Sequence, residues 1–195
     1  MSNVLIINGS AKWHGTGGTL TRSFVELASK VLNSLGHQVV VTGVDRDFSV
    51  EEEVQKISDA DSIIAQFPAW WMNPPWQFKR YQDEVLFDPR INGGDGRSRA
   101  DATRLYGRGG VCINKTYMLS STWNAPREAF EDRLQFFEGK GIDEVLMPVH
   151  KTFQFLGMRP LPSFMANDVL KNPRIADDLK RFKSHLIRYF GSAAG

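Results

Sequence analysis

Three stretches of this chain carry side chains whose types and spacing suit ligand binding. Residues 66–76 read QFPAWWMNPPW, so that Trp70, Trp71 and Trp76, three of the five tryptophans, fall within seven residues and among Pro68, Pro74 and Pro75. Indole faces at Trp70 and Trp71 can stack on a planar ring system, and the prolines would stiffen the loop and lower the ordering cost of binding. A hydrophobic staple onto a following helix is the competing account, and it suits Trp76 best. Residues 8–24, NGSAKWHGTGGTLTRSF, combine Gly15, Gly17 and Gly18 with the hydroxyls of Thr16, Thr19, Thr21 and Ser23 ahead of a helix. Free N–H groups at a helix start favour an anion. The glycine spacing matches neither Walker A, whose lysine is missing, nor G-x-G-x-x-G, and helix capping alone would also use threonine and glycine. Trp13 and His14 could flank an adenine ring. Residues 121–126, STWNAP, offer Asn124 and backbone N–H groups to a ring carbonyl or a developing negative charge. Equally, Asn124 could N-cap a helix with Pro126 in its first turn.

These loops need a scaffold that brings them to one edge. The run NVLIIN (3–8) is apolar without alternation, as in a strand covered on both faces. Leu20, Phe24, Leu27, Val31 and Leu35 recur at helical spacing, and Gly36 is a plausible stop. Further strands are expected at 38–44, 62–68, 115–121 and 161–167. Further helices are expected at 50–60, after Pro75, at 127–138, at 148–156 and at 175–190. Alternation of this kind predicts one α/β domain over 1–195, a flavodoxin-like doubly wound parallel sheet of five strands in the order 2-1-3-4-5 with helices on both faces. Ligands of such sheets bind beyond the carboxyl ends of the strands, where all three stretches lie. The irregular segment 88–110, DPRINGGDGRSRADATRLYGRGG, is too long for a simple connection.

Composition excludes several classes. A net charge of +2, from 24 basic against 22 acidic side chains, argues against nucleic acid as the main partner. The single cysteine, Cys112, rules out an internal disulfide, fits a reducing compartment and lies in an apolar setting that suggests a buried, inert thiol. The N-terminus MSNVLIING has no basic leader and no apolar run approaches a membrane span. The expected location is cytoplasmic, with no metal site.

A large flat ligand accounts best for Trp70 and Trp71, and an isoalloxazine fits. NVLIING, PAWWMNPPW, DGRSR, YMLSSTWNAPREAF, QFF and HKTFQFLGMRPLPSF, in that order along the chain, resemble the flavodoxin-like NAD(P)H:quinone reductases. The resemblance implies a homodimer with one FAD per subunit and NADPH and a quinone as small-molecule substrates. It implies two-electron, ping-pong hydride transfer through flavin N5. It also implies that Thr16, Gly17, Gly18, Thr19, Leu20, Thr21, Arg22 and Ser23 hold the diphosphate and adenosine. Ala69, Trp70, Trp71 and Met72 would line the isoalloxazine, and Thr122, Trp123, Asn124 and Ala125 would meet its pyrimidine edge, backbone N–H groups at a helix N-terminus included. Tyr106 would approach the flavin of the other subunit. The family's mammalian members place a tyrosine and a histidine after the fourth strand as a charge relay; here that region reads QFFEGKG, and no relay carries over. Arg97, Arg99, Arg104 and Arg108 form either a solvated loop or a contact for the NADPH 2′-phosphate. The alternatives are an FMN-type electron carrier and a regulatory subunit of a membrane transporter with a reductase fold.

Overall fold

The structure is a computed structural model and describes residues 1–12 and 18–191. Trp13, His14, Gly15, Thr16 and Gly17 therefore lie outside the described residues. In chain order the elements are β1 (Asn3–Asn8), α1 (Thr19–Ser34), β2 (Gln38–Gly43), α2 (Val50–Asp59), β3 (Ser62–Pro68), α3 (Trp76–Val85), β4 (Thr116–Thr122), α4 (Glu128–Glu131), α5 (Ile142–Val145), α6 (Met147–Phe155), β5 (Arg159–Pro160), β6 (Phe164–Ala166) and α7 (Ile175–Phe190). The sheet runs β2-β1-β3-β4-β5, with β6 also paired to β4, and each pairing is parallel. This is the expected 2-1-3-4-5 order with one strand more.

Continuous apolar strands are buried on both faces because alternate residues feed two cores. Leu5, Ile7, Ile63, Ala65 and Phe67 pack with residues of α2, α3 and α6, whereas Val4, Ile6 and Ile64 pack with residues of α1 and α7. Across the second core the Phe24 and Phe182 rings lie 5.3 Å apart. Helix α1 stops as its sequence suggests. Gly36, at φ 85°, donates to Asn33 and His37 donates to Leu32, the paired bonds of a glycine-terminated helix. Phe78, Tyr81 and Val85 form the buried stripe of α3.

Two expectations are corrected. The fifth strand is split into β5 and β6, because Pro160 and Pro162 supply no N–H to a ladder. The expected helix at 127–138 is a four-residue turn of helix followed by tight turns. Asp132 Oδ1 takes the Leu134 N–H at 2.8 Å, and the Phe137 amide returns to the Ala129 carbonyl at 3.0 Å. Phe130 and Phe137 thereby stack at 4.2 Å, so a local side-chain acceptor and an aromatic pair outcompete the helical ladder.

Segment 88–110 is irregular, as expected. Cys112 is buried, and burial raises its thiol pKa, as befits an inert thiol.

Candidate functional site

The three ligand-suited stretches meet at the carboxyl edge of the sheet. The Gly9 amide donates to the Gln66 carbonyl at 2.8 Å, tying the first loop to β3. The Ala69 amide donates to the Thr122 carbonyl at 2.9 Å, tying the second loop to the end of β4. Gly9 is required here: a Cβ on it would stand 2.7 Å from Phe67 Cβ.

In the first loop Gly18, at φ 63°, precedes α1, and among the described residues no side chain caps the helix. A Cβ on Gly18 would meet Ser10 Cβ at 2.9 Å, so the helix start presses against the strand end as closely as glycine allows. The first turn holds no acidic residue, and its N–H groups have no intrahelical acceptor. That is the anion-favouring start of a sixteen-residue helix. Side chains contribute less than expected. Leu20 packs against the second core and Thr21 is buried, so both can serve a ligand only through the backbone. Ser23 Oγ donates to the Thr19 carbonyl and Arg22 Nη2 donates to Thr19 Oγ1 at 3.1 Å. Thr16 and Gly17 lie outside the described residues.

The second loop is a tight reversal. Trp70 and Asn73 exchange backbone bonds, with N to O distances of 2.7 and 3.1 Å. Between them Trp71 (φ 50°) and Met72 (φ 65°) both adopt left-handed backbone. That is the pattern of a type I′ turn, usually filled by Asn-Gly; bulky residues there store strain, which collects at functional sites. Trp70 is half-buried, and Trp71 is 91% exposed. Trp76 is more than half exposed, which counts against the hydrophobic staple offered as the competing account. Ala69 leans against the first core.

The third loop buries one of the expected site side chains. Trp123 is 4% exposed. Its indole stands edge-on to Phe130 at 5.1 Å and to Phe137 at 5.9 Å, and Nε1–H donates to Ser121 Oγ at 2.8 Å. The Trp123 amide is spent on the Ala166 carbonyl, and Thr122 is buried with its carbonyl on Ala69. Among the described residues, the Asn124 and Ala125 amides donate to nothing in the chain, and Asn124 is exposed. Asn124 is not an N-cap either, since α4 starts at Glu128 after Arg127. Two amides without an acceptor among the described residues therefore replace the expected helix end. Asn167 Nδ2 and the Asp168 amide both donate to the Ala125 carbonyl, bracing this turn from the loop after β6. No residue pattern advertised that brace.

Tyr106 lies elsewhere. It is 68% exposed, with its ring 5.7 Å from Phe155 and 5.4 Å from the Arg97 guanidinium, near the amino ends of the strands. There it lines a groove of about 1020 Å3 with Arg108, Ile113, Lys151 and Arg159. One chain thus does not bring Tyr106 to the other site residues. Arg97 is paired with Asp95 at 2.6 Å. A Tyr117–His150–Asp143 chain, with distances of 2.7 and 3.1 Å, is the nearest thing to a charge relay. It starts at the second residue of β4, five residues before Thr122, or roughly 17 Å along the strand, and so is remote from the three loops. Among the described residues no group of His, Cys, Asp and Glu could hold a metal, and no helix is long and apolar enough to cross a membrane.

Residues 2–188 match the family model described as Flavodoxin-like fold. The chain belongs to the flavodoxin-like family. A relative within it is the NADPH:quinone oxidoreductase MdaB of Haemophilus influenzae, 41% identical over 191 residues, spanning 97% of this chain and 100% of that one. Among solved structures, the NAD(P)H:quinone oxidoreductase of Methanothermobacter marburgensis superposes with a TM-score of 0.68 at 18% identity, over 95% of this chain and 97% of that one. General stress protein 14 of Treponema denticola, solved with FMN, superposes with a TM-score of 0.62 at 18% identity, over 97% and 98%. At those identities the two structures bear on the flavodoxin-like fold alone. The 41% relative bears out the resemblance drawn from PAWWMNPPW and STWNAP.

Proposed function

We propose that this flavodoxin-like protein is an FAD-dependent NADPH:quinone oxidoreductase that works as a homodimer. One observation carries the reading. The Gly9–Gln66 and Ala69–Thr122 bonds set a helix start with no cap among the described residues, an indole-bearing turn and two amides without an acceptor along one edge. The likeness to MdaB of Haemophilus influenzae supports the choice of substrates.

The residues fit a flavin nucleotide. Gly9 and Gly18 stand where a Cβ would clash, leaving backbone N–H groups of α1 open to a diphosphate. When bound, the flavin supplies a two-electron carrier that takes a hydride from NADPH and yields it to the quinone in turn. Trp70, Trp71 and Met72 would line its ring system, the strained turn holding them in place before the ligand arrives. Asn124 and Ala125 amides would face the pyrimidine edge, where negative charge collects on reduction; one such aimed donor is worth about 3 kcal/mol in other enzymes. Trp71, 91% exposed, has an indole face available to keep donor and acceptor rings in register. Tyr106, remote within one chain, would serve the partner's site in a homodimer.

FMN in place of FAD is the second reading, favoured by the FMN held in the Treponema denticola structure of the same fold. The test is to purify the protein, release its flavin and identify it by chromatography, then follow NADPH oxidation with and without a quinone. FAD in the extract and quinone-dependent turnover are the expected results. A colourless protein that takes up no flavin would end the proposal, and FMN alone would select the second reading.

A further inference from the structure

Helix α7 has two faces of opposite character. Phe182, Leu186 and Phe190 are buried in the second core with residues of α1. Lys180, Lys183, Ser184 and Ile187 recur at helical spacing on the other side and are exposed, with exposed Arg188 beside them. Among the described residues Lys180, Lys183 and Arg188 form no ion pair, whereas Arg174 is held by Asp177 and Arg181 by Asp178. Segment 171–191 has six basic residues against two acidic ones, a net +4 in a chain whose total is +2. The rest of the chain is therefore net negative, and positive charge is concentrated on this one helix. Neighbouring like charges on a helix repel, so the fold itself gains nothing from the stripe, and a surface of one sign suits a partner of the other.

Two observations select the partner. Ile187 is 44% exposed in the middle of the stripe. A bilayer with anionic headgroups rewards both features, because cations lie at the headgroups while an apolar side chain enters the acyl boundary. Nucleic acid would reward the cations alone. Position is the second observation. Helix α7 covers the sheet face opposite to α2, α3 and α6. Tyr106 lines the groove beside α3 and α6, so a partner subunit that meets Tyr106 leaves α7 uncovered on the far face.

We propose that the Lys180–Lys183–Ile187 stripe of α7, with Arg188, docks the protein on an anionic lipid surface. Quinones with long apolar tails reside in bilayers, so docking would bring the protein to that part of its substrate class. That consequence rests on the quinone reading above; the docking surface itself does not.

The test mixes the purified holoprotein with vesicles of phosphatidylcholine, alone or mixed with phosphatidylglycerol, and measures binding by flotation. Wild type should bind the mixed vesicles, ignore the neutral ones and come off at about 1 M salt, where screening acts within roughly 3 Å. Each cation at such a surface is worth roughly fivefold in binding, so glutamine at Lys180, Lys183 and Arg188 together should weaken it about a hundredfold. Ile187→Ser should weaken binding severalfold, which a purely ionic contact would not show. Melting curves of both variants should stay close to wild type, and the triple variant should keep its turnover of NADPH with a water-soluble quinone. No binding to mixed vesicles, equal binding to both kinds, or full binding by either variant would overturn the proposal. So would a short DNA duplex held more tightly through the same cations at the same salt. Flotation needs no turnover, so its failure leaves the proposed activity intact, and inactive protein that still binds vesicles would sink the activity alone.

Discussion

Trp70 and Asn73 exchange both backbone hydrogen bonds across a turn whose two central residues, Trp71 and Met72, have left-handed backbone. Left-handed conformation costs an L-residue about 1–2 kcal/mol. The energetic and the chemical roles of this turn can be separated. Replacing Trp71 and Met72 by Asn-Gly should stabilise the protein by about 1–2 kcal/mol in denaturant unfolding, yet weaken flavin binding. A double variant that is less stable and binds flavin as tightly as wild type would mean that the turn is neither strained nor functional.

Trp71 and Trp123 make opposite predictions although both stand in ligand-edge loops. Trp71→Ala removes an exposed ring and should change stability within about 0.5 kcal/mol, while lowering flavin affinity. Trp123→Ala opens a cavity against Phe130 and Phe137 and should cost about 3–5 kcal/mol. Urea unfolding of the two variants checks the contrast.

Gly9→Ala tests the closeness of the first loop to β3. A methyl 2.7 Å from Phe67 Cβ forces backbone apart, with an overpacking cost of about 1–3 kcal/mol. Flavin release should rise in step, since the Gly9–Gln66 bond holds two of the three loops together. Unaltered melting temperature and flavin content would show that the edge tolerates the shift.

Burial pushes the Tyr117 phenol up to about 12 from 10.0. A group whose folded value is raised contributes stability fully below its unfolded value and loses it as pH climbs through the folded one. Tyr117 thus contributes to alkaline sensitivity between pH 10 and about 12. The Tyr117→Phe variant should be less stable at pH 8 by about 1 kcal/mol, for the lost bond to His150. Its stability should fall less steeply than that of wild type across the alkaline window. At the other end of the scale His150 holds the Asp143 carboxyl below its usual value. That contribution is present above the unfolded value and fades as pH drops through the folded one, so Asp143→Asn should flatten the acid limb of stability.

Arg99, Arg104 and Arg108 form no ion pair among the described residues, whereas Arg97 is held by Asp95. If the free guanidinium groups meet the NADPH 2′-phosphate, alanine at these three positions should raise the KM for NADPH severalfold and leave that for NADH within twofold. Equal effects on both coenzymes would assign the loop to solvent.

Periodicity and punctuation in the sequence determined the sheet order, the two-sided core and which loops reach the carboxyl edge. Apolar runs such as 3–8, the stripe of α1 and the stop at Gly36 are local signals with local causes. Only the tertiary structure decided which aromatic faces in and which faces out. Trp71 and Trp123 share a residue type and a place after a strand, and burial separates them because Phe130 and Phe137 close over one and a reciprocal turn lifts the other. The same stacked pair dissolved the helix expected at 127–138, and Pro160 with Pro162 broke a strand that its apolar residues suggested. Contacts between distant segments govern such choices, and a pattern along one chain carries no record of them.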